Sequence, residues 1–328
     1  MKALALYSGG LDSTLAIKVI ANQGVEITAL YFFNPLSRHD KNKEEALAQK
    51  AKELGAGFKS IYLADNFIEI LKNPKFGYGK NLNPCIDCKI LMLRITKKLM
   101  PELGASFVIT GEVLAQRPKS QHRETLDLIE KRAGLQGLVL RPLSAKLLEE
   151  TIPEIKGWVK REALFDFNGR ARNPQIELAK QFDIKNYQWP AGGCLLTVSS
   201  FCTRVEDFLK NIELTPENLE LLKWGKHFRL SPDFKLIVGR NEEENKILSS
   251  LAREGDVCFE PKVLAGPFGL GRGKLTDDVK KVSGRIIARY TDNSGATVEI
   301  SIRDSQSKKE EVVYVSGLDE KTVKELLV

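Results

Sequence analysis

Several features are scarce or missing in this chain of 328 residues. No apolar run approaches the ~20 residues that a helix needs to span a bilayer, so no membrane helix is expected. The N-terminus lacks the basic start, apolar middle and small-residue cleavage site of a signal peptide, and the expectation is a cytoplasmic protein with no membrane partner. The five cysteines are Cys85, Cys88, Cys194, Cys202 and Cys258. An odd count without a leader argues against a disulfide framework and for reduced thiols or metal ligands. There is no internal repeat and no low-complexity tract. Two common nucleotide loops are also absent: Gly-x-x-x-x-Gly-Lys-Ser/Thr and Gly-x-Gly-x-x-Gly. The apolar fraction of 42% and charged fraction of 28% are ordinary for a globular protein, and the length suits two or three domains.

What is present begins at the N-terminus. Leu4-Ala5-Leu6-Tyr7 is an apolar run that ends in Ser8-Gly9-Gly10-Leu11-Asp12-Ser13. Asp12 and Ser13 open a helical pattern through Leu15, Ile17, Val19 and Ile20. A strand, a glycine turn and a helix start form a phosphate cradle. The glycines let the backbone approach an anion, and the helix N-terminus adds unpaired N–H groups and partial positive charge. The alternation then continues. Strands are expected at 2–7, 25–33, 60–64, 106–110 and 138–140, with helices at 12–22, 44–54 and 89–99. Strands alternating with helices predict an α/β fold with a doubly wound parallel sheet, whose ligands sit at the carboxyl ends of the strands. Those ends carry the 8–13 loop, Asn34 and Thr110-Gly111-Glu112.

Further helices are read at 147–159, 175–182, 203–211, 216–224 and 242–251, and a strand at 235–238. Pro261–Gly273 reads as a glycine-rich loop. Strands at 284–290 and 297–302 around Asp292-Asn293-Ser294-Gly295 read as a hairpin. Three domains are expected: 1–165, a helical extension at 166–228, and a smaller C-terminal α+β domain at 229–328.

Ser-Gly-Gly-x-Asp-Ser resembles the pyrophosphate loop of the PP-loop ATP pyrophosphatases, adenine nucleotide alpha hydrolase-like proteins that split ATP between its α and β phosphates. Thr110-Gly111-Glu112-Val113-Leu114-Ala115-Gln116, with Ser120-Gln121 and Arg141-Pro142-Leu143, is similar to the ATPase domain of tRNA 4-thiouridine synthases, the ThiI family. The resemblance implies ATP and Mg²⁺ as cofactors. Ser8, Gly9, Gly10, Leu11, Asp12, Ser13, Thr110 and Gly111 would bind nucleotide, with Asp12 holding the metal directly or through water. That family's upstream RNA-binding domains are not expected here, since the loop begins at residue 8, so RNA recognition is expected from the other end of the chain.

Asn83-Pro84-Cys85-Ile86-Asp87-Cys88-Lys89 carries a Cys-x-x-Cys, and Cys194 follows Gly192-Gly193. Three thiolates leave one corner of a tetrahedral site open. The set resembles cluster-dependent tRNA thiolation enzymes, which implies a [4Fe-4S] cluster on Cys85, Cys88 and Cys194. Cysteine persulfide chemistry and a zinc site completed by Cys202 are the alternatives. Cys202 and Cys258 otherwise read as ordinary buried residues.

The formal charge is +7 and the pI about 9.0, which suits a polyanionic partner. Arg117, Lys119, His122 and Arg123 form one basic group, and Lys160, Arg161, Arg170 and Arg172 another. Lys235–Asn241, Glu244-Asn245 and Glu254–Val257, followed by a Pro-Gly-rich loop, resemble the RNA-binding domain of NFACT proteins. That implies RNA contacts from Arg240, Lys262, Arg272 and Lys274, although 17 basic and 17 acidic residues balance from 229 onward. The resulting expectation is an ATP-dependent tRNA thiouridine synthase. Its partners would be tRNA and a sulfur donor, either a cysteine desulfurase or inorganic sulfide. It would be a monomer or homodimer. The alternatives are a small-molecule adenylating or amidating enzyme, of NAD synthetase or deazaguanine synthase type, and a non-catalytic RNA-binding factor.

Overall fold

The computed structural model describes residues 1–37, 41–185, 187, 194–292, 295–305 and 310–328. It divides into two compact units, Met1–Thr197 and Val198–Val328.

Among the described residues, the first unit holds a five-stranded parallel sheet in the order β3-β2-β1-β4-β5. The strands are β1 (Lys2–Leu6), β2 (Glu26–Phe33), β3 (Ala56–Tyr62), β4 (Phe107–Thr110) and β5 (Val139–Leu140). The helices are α1 (Leu11–Ala21), α2 (Lys41–Glu53), α3 (Ala64–Lys72), α4 (Cys85–Glu102), α5 (Arg123–Ala133), α6 (Ile152–Ile155) and α7 (Asn173–Gln181). Alternation along β1 explains the layering. Ala3 and Ala5 face a cluster with Leu15, Ile17 and Leu178, whereas Leu4 faces one with Ile86, Ile90, Leu93 and Ile129. Both faces are therefore buried, as in parallel sheets generally. The strand order reverses between β1 and β4, the place where doubly wound sheets open a crevice for ligands.

The second unit begins with α8 (Ser199–Asn211) and α9 (Pro216–Leu221). Then follow β6 (Lys226–Ser231), β7 (Phe234–Val238), α10 (Glu242–Ser250), β8 (Val257–Pro261), β9 (Gly269–Gly273), α11 (Asp277–Arg289), β10 (Val298–Asp304), β11 (Glu310–Val315) and α12 (Glu320–Leu326). Its six described strands form an antiparallel sheet in the order β11-β10-β8-β9-β7-β6. This is the α+β part.

Several expectations need correction. Residues 284–290 are not a strand. They close α11, which Thr276 caps by accepting from the Val279 amide, with Asp277 and Asp278 in the first turn. The hairpin therefore does not exist, and β10 pairs with β8 and β11 instead. Asn293 and Ser294 lie outside the described residues. The last five residues of the expected 261–273 loop are β9, a central strand. A Cβ on Gly269 would stand 2.6 Å from Ile287 Cδ1, and one on Gly271 would collide with the Phe234 ring. The missing side chains on β9 are replaced by bulk from its neighbours. The long helix expected at 147–159 is only the four-residue α6, and α3 and α5 were not anticipated.

Candidate nucleotide and thiol site

The first segment to build is the turn between β1 and α1. Gly9 has φ +74°, and a Cβ there would strike Leu47 of α2. A glycine is needed on both counts. The Ser8 amide donates to Ser13 Oγ at 3.3 Å, the Gly10 amide to Ser8 Oγ at 3.4 Å, and Ser13 Oγ donates to the Gly10 carbonyl at 3.0 Å. The two serines thus brace the loop from within and fix the N-terminal turn of α1 as an anion cradle.

The loop after β4 lies directly against it. A Cβ on Gly111 would stand 2.5 Å from the Ser13 nitrogen and 2.6 Å from the Asp12 carbonyl carbon. Only a residue without a side chain allows this approach of two backbones. Gln116, on the same loop, donates from Nε2 to Asp12 Oδ2 at 3.0 Å, and Arg172 reaches that oxygen with Nη2 at 3.4 Å. Asp12 Oδ1 is buried and has no hydrogen-bond partner among the described residues. An orphaned carboxylate oxygen beside a phosphate cradle fits a hard cation such as Mg²⁺, which takes oxygen ligands.

Behind this loop runs a buried charge network. Lys89 of α4 pairs with Glu112, Arg141 Nε with the same carboxylate at 3.1 Å, and Arg141 Nη1 with Glu130 of α5. Thr110 Oγ1 donates to Glu112 at 3.2 Å. Burial alone would raise Glu112, but Lys89 and Arg141 outweigh it and hold the carboxyl at about 2. The network joins three of the expected segments, since Lys89 follows Cys88, Glu112 belongs to the β4 loop and Arg141 precedes Pro142-Leu143. At the other expected strand end, Asn34 Oδ1 accepts from the Leu36 amide and so caps a local turn.

The cysteines start from α4. Cys85 is its first residue, and Cys88 lies one turn on, with its amide on the Pro84 carbonyl. Cys85 Sγ donates to Asn83 Oδ1 at 2.9 Å. Cys194 comes from far along the chain, and a tether brings its segment in. Thr197 bonds the Cys194 carbonyl through its amide and hydroxyl, and Asn81 donates to the Thr197 carbonyl at 3.0 Å. Burial raises the Cys88 thiol to about 12, and the nearby Cys194 and Cys85 add to the shift. Cys88 thus lies within electrostatic reach of both Cys85 and Cys194. Among the described residues, no three His, Cys, Asp or Glu side chains stand at ready metal-binding spacing. The donor chemistry, thiols with no carboxylate among them, fits a thiophilic centre. Gly192 and Gly193 lie outside the described residues. Cys202 is buried on α8 of the second unit, and Cys258 lies on β8 there, raised to about 11 by burial and Glu260.

The basic residues divide into exposed and engaged. Arg117 and Arg170 are exposed. Lys119 holds the Tyr78 carbonyl, and Arg123 the Leu147 carbonyl, with Glu149 at 3.5 Å. In the second unit Arg272 is clamped by Asp256 at 2.5 and 2.7 Å and by Asn218, and Arg240 is paired with Glu244. Lys262 is exposed and 3.9 Å from Glu310, and Lys274 is exposed. Sequence reasoning did not assign roles to Lys89, Glu112, Arg141, Gln116, Asn81 or Thr197. Their link is spatial, and the available hint was that charged residues sat inside otherwise motif-like text.

Comparison with known proteins matches two parts of the chain. Residues 1–156 match the family described as thiamine biosynthesis protein (ThiI), and residues 225–327 the NFACT protein RNA binding domain. A tRNA sulfurtransferase of Desulfurococcus amylolyticus is 27% identical over 173 residues, which is 52% of this chain and 34% of the relative. A probable tRNA sulfurtransferase of Lysinibacillus sphaericus is 30% identical over 144 residues, 43% of this chain and 34% of the relative. The chain thus spans about a third of the length of these relatives. Among solved structures, a 4-thiouridine synthetase–RNA complex with bound ATP is similar at 24% identity and TM-score 0.40, over 68% of this chain and 49% of that one. That score carries no argument about this chain.

Proposed function

We propose that this chain, a ThiI-type segment followed by an NFACT-type RNA-binding segment, is an ATP-dependent tRNA thiouridine synthase. The observation that carries the reading is the contact of Gly111 with the Asp12–Ser13 backbone. It makes the pyrophosphate cradle and the ThiI-like loop one site at the switch point of the sheet. Cys88, with Cys85 and Cys194 in electrostatic reach of it, stands in the same unit.

A uridine carbonyl oxygen is a poor leaving group. Its attack on the α-phosphorus of ATP forms an oxygen–phosphorus bond, giving an O-adenylate on the ring carbon, and the bond to pyrophosphate breaks. Pyrophosphate departs into the Ser8–Ser13 cradle, whose amides and helix dipole stabilise it. Sulfide-level sulfur from a donor then adds to the activated ring carbon, and AMP leaves with the oxygen, so no net oxidation occurs. Asp12 would hold Mg²⁺, which offsets phosphate charge when bound. Cys85, Cys88 and Cys194 would hold a [4Fe-4S] cluster, which supplies an iron atom open to sulfide when bound. Exposed Arg117 and Arg170 would contact the tRNA backbone from this unit. Lys262 and Lys274 would do so from the other.

ATP–pyrophosphate exchange tests the reading. Exchange that requires tRNA and is lost in Asp12→Ala supports it, with tRNA binding retained in that variant. Exchange without RNA identifies a small-molecule adenylating enzyme, and no exchange a non-catalytic RNA-binding factor. Either result sinks the proposal.

A further inference from the structure

Two acceptor oxygens near the cradle are both buried and both without a partner among the described residues: Asp12 Oδ1 and Gln116 Oε1. Their side chains are joined by the 3.0 Å bond from Gln116 Nε2 to Asp12 Oδ2. An unpaired buried acceptor costs about 1–3 kcal/mol, so two on neighbouring side chains need a reason. The loop is not loosely built there. The Gln116 amide donates to the Val113 carbonyl, the Ala115 amide to the Gln121 carbonyl, and Gly111 locks the loop on the Asp12–Ser13 backbone. The backbone therefore delivers Gln116 to Asp12. A carboxylate and an amide carbonyl are the hard oxygen donors that Mg²⁺ takes, beside phosphate oxygens and water. Arg172 stands on the opposite oxygen, with Nη2 3.4 Å from Oδ2. Its charge opposes a second cation at this carboxylate unless phosphates are also present.

Resting on the ATP reading above, we infer that Gln116 is a second protein ligand of the Mg²⁺ held by Asp12. Arg172 is the counter-charge that makes cation binding depend on nucleotide. The hydrogen bond now made by Gln116 Nε2 is then the resting arrangement of the amide, which turns its oxygen to the cation on loading.

The test uses the full chain, with Mn²⁺ as a paramagnetic stand-in read by electron paramagnetic resonance. The nucleotide is α,β-methylene-ATP, which cannot be cleaved between those phosphates. Nucleotide occupancy is followed separately with a fluorescent ATP analogue. Gln116→Leu should weaken Mn²⁺ about tenfold or more with nucleotide still bound, the size expected for losing one ligand or its support. Gln116→Glu keeps an oxygen donor but loses the amide N–H, and it should bind Mn²⁺ at least as tightly as wild type. Arg172→Gln should raise Mn²⁺ binding in the absence of nucleotide. If Gln116 only steadies Asp12 through its N–H, Gln116→Glu will weaken Mn²⁺ as Gln116→Leu does, and the inference is overturned. Wild-type Mn²⁺ affinity in Gln116→Leu also overturns it while leaving the ATP reading intact. Absence of nucleotide binding by the wild type overturns both.

Discussion

Each unit draws a lysine into a charge network, Lys89 half-buried and Lys235 fully buried, and the two are treated differently. In the first, Lys89 and Arg141 meet Glu112 and Glu130, two cations with two carboxylates. In the second, Lys235 and Arg229 share the single carboxylate of Asp207, with Arg204 close enough to add repulsion. In the balanced network Lys89 and Arg141 drive Glu112 down to about 2 against its burial. In the unbalanced one burial prevails, and Lys235 falls to about 8 despite Asp207. Burial opposes the charge in both networks, and the number of opposite charges set against it decides which way the group is moved. The first unit places its matched network under the nucleotide loop. The second uses its network to tie α8 to β6 and β7.

The sharpest way to break the contrast is to unbalance the first network. Glu112→Gln leaves Lys89 and Arg141 with Glu130 alone. It should cost about 3–5 kcal/mol, the usual penalty for breaking a buried pair, and should abolish ATP–pyrophosphate exchange. Thermal unfolding of the full chain measures the cost; a loss under about 1 kcal/mol would refute the balanced-network account.

A smaller effect comes from pH. Glu112 titrates at 4.5 in the unfolded chain and about 2 in the folded one. Its contribution is complete above 4.5 and is lost as pH falls toward 2. Lys235 has the opposite chemistry. Between about 8 and 10.5 the unfolded chain keeps a proton that the folded one has released, so its term makes stability rise with pH. Cys258 works against this from about 9 upward. Segment-resolved hydrogen exchange should therefore be read as the difference between wild type and Lys235→Met.

The smallest effect is the neutral-pH change in that variant. Lys235→Met removes a poorly matched ion and leaves Asp207 with Arg229, 2.7 and 2.8 Å away. Stability at pH 7 should shift by no more than about 1 kcal/mol destabilising, with stabilisation the favoured sign. A loss of several kcal/mol would show that Lys235 is a needed partner of Asp207.

The first unit's strand–helix alternation was legible because each element repeats a local pattern, and the Ser8–Ser13 turn carries its chemistry in consecutive residues. The errors have local causes too. Ile286 and Ile287 are β-branched and follow a glycine, so 284–290 looked like strand. Thr276, seven residues upstream of Ser283, is the cap that starts the helix there. Strand β9 was illegible because its space is filled by Phe234, Phe259 and Ile287 rather than by its own side chains. At the site, the coupling of Lys89, Glu112 and Arg141 depends on where α4 starts and where β4 and β5 end, which no local pattern records. The orphaned oxygens of Asp12 and Gln116 depend on a backbone contact at Gly111.

The bond from Asn81 to the Thr197 carbonyl closes an interval of 116 residues. Without such a clasp, Cys194 would explore a wide volume, and its encounters with Cys88 would be dilute. With it, the two thiols behave like reagents confined together at an effective concentration on the order of millimolar or above. Chemistry between these sulfurs is unimolecular because one chain carries both, and a neutral hydrogen bond worth about 1 kcal/mol raises the frequency of their encounter by about fivefold.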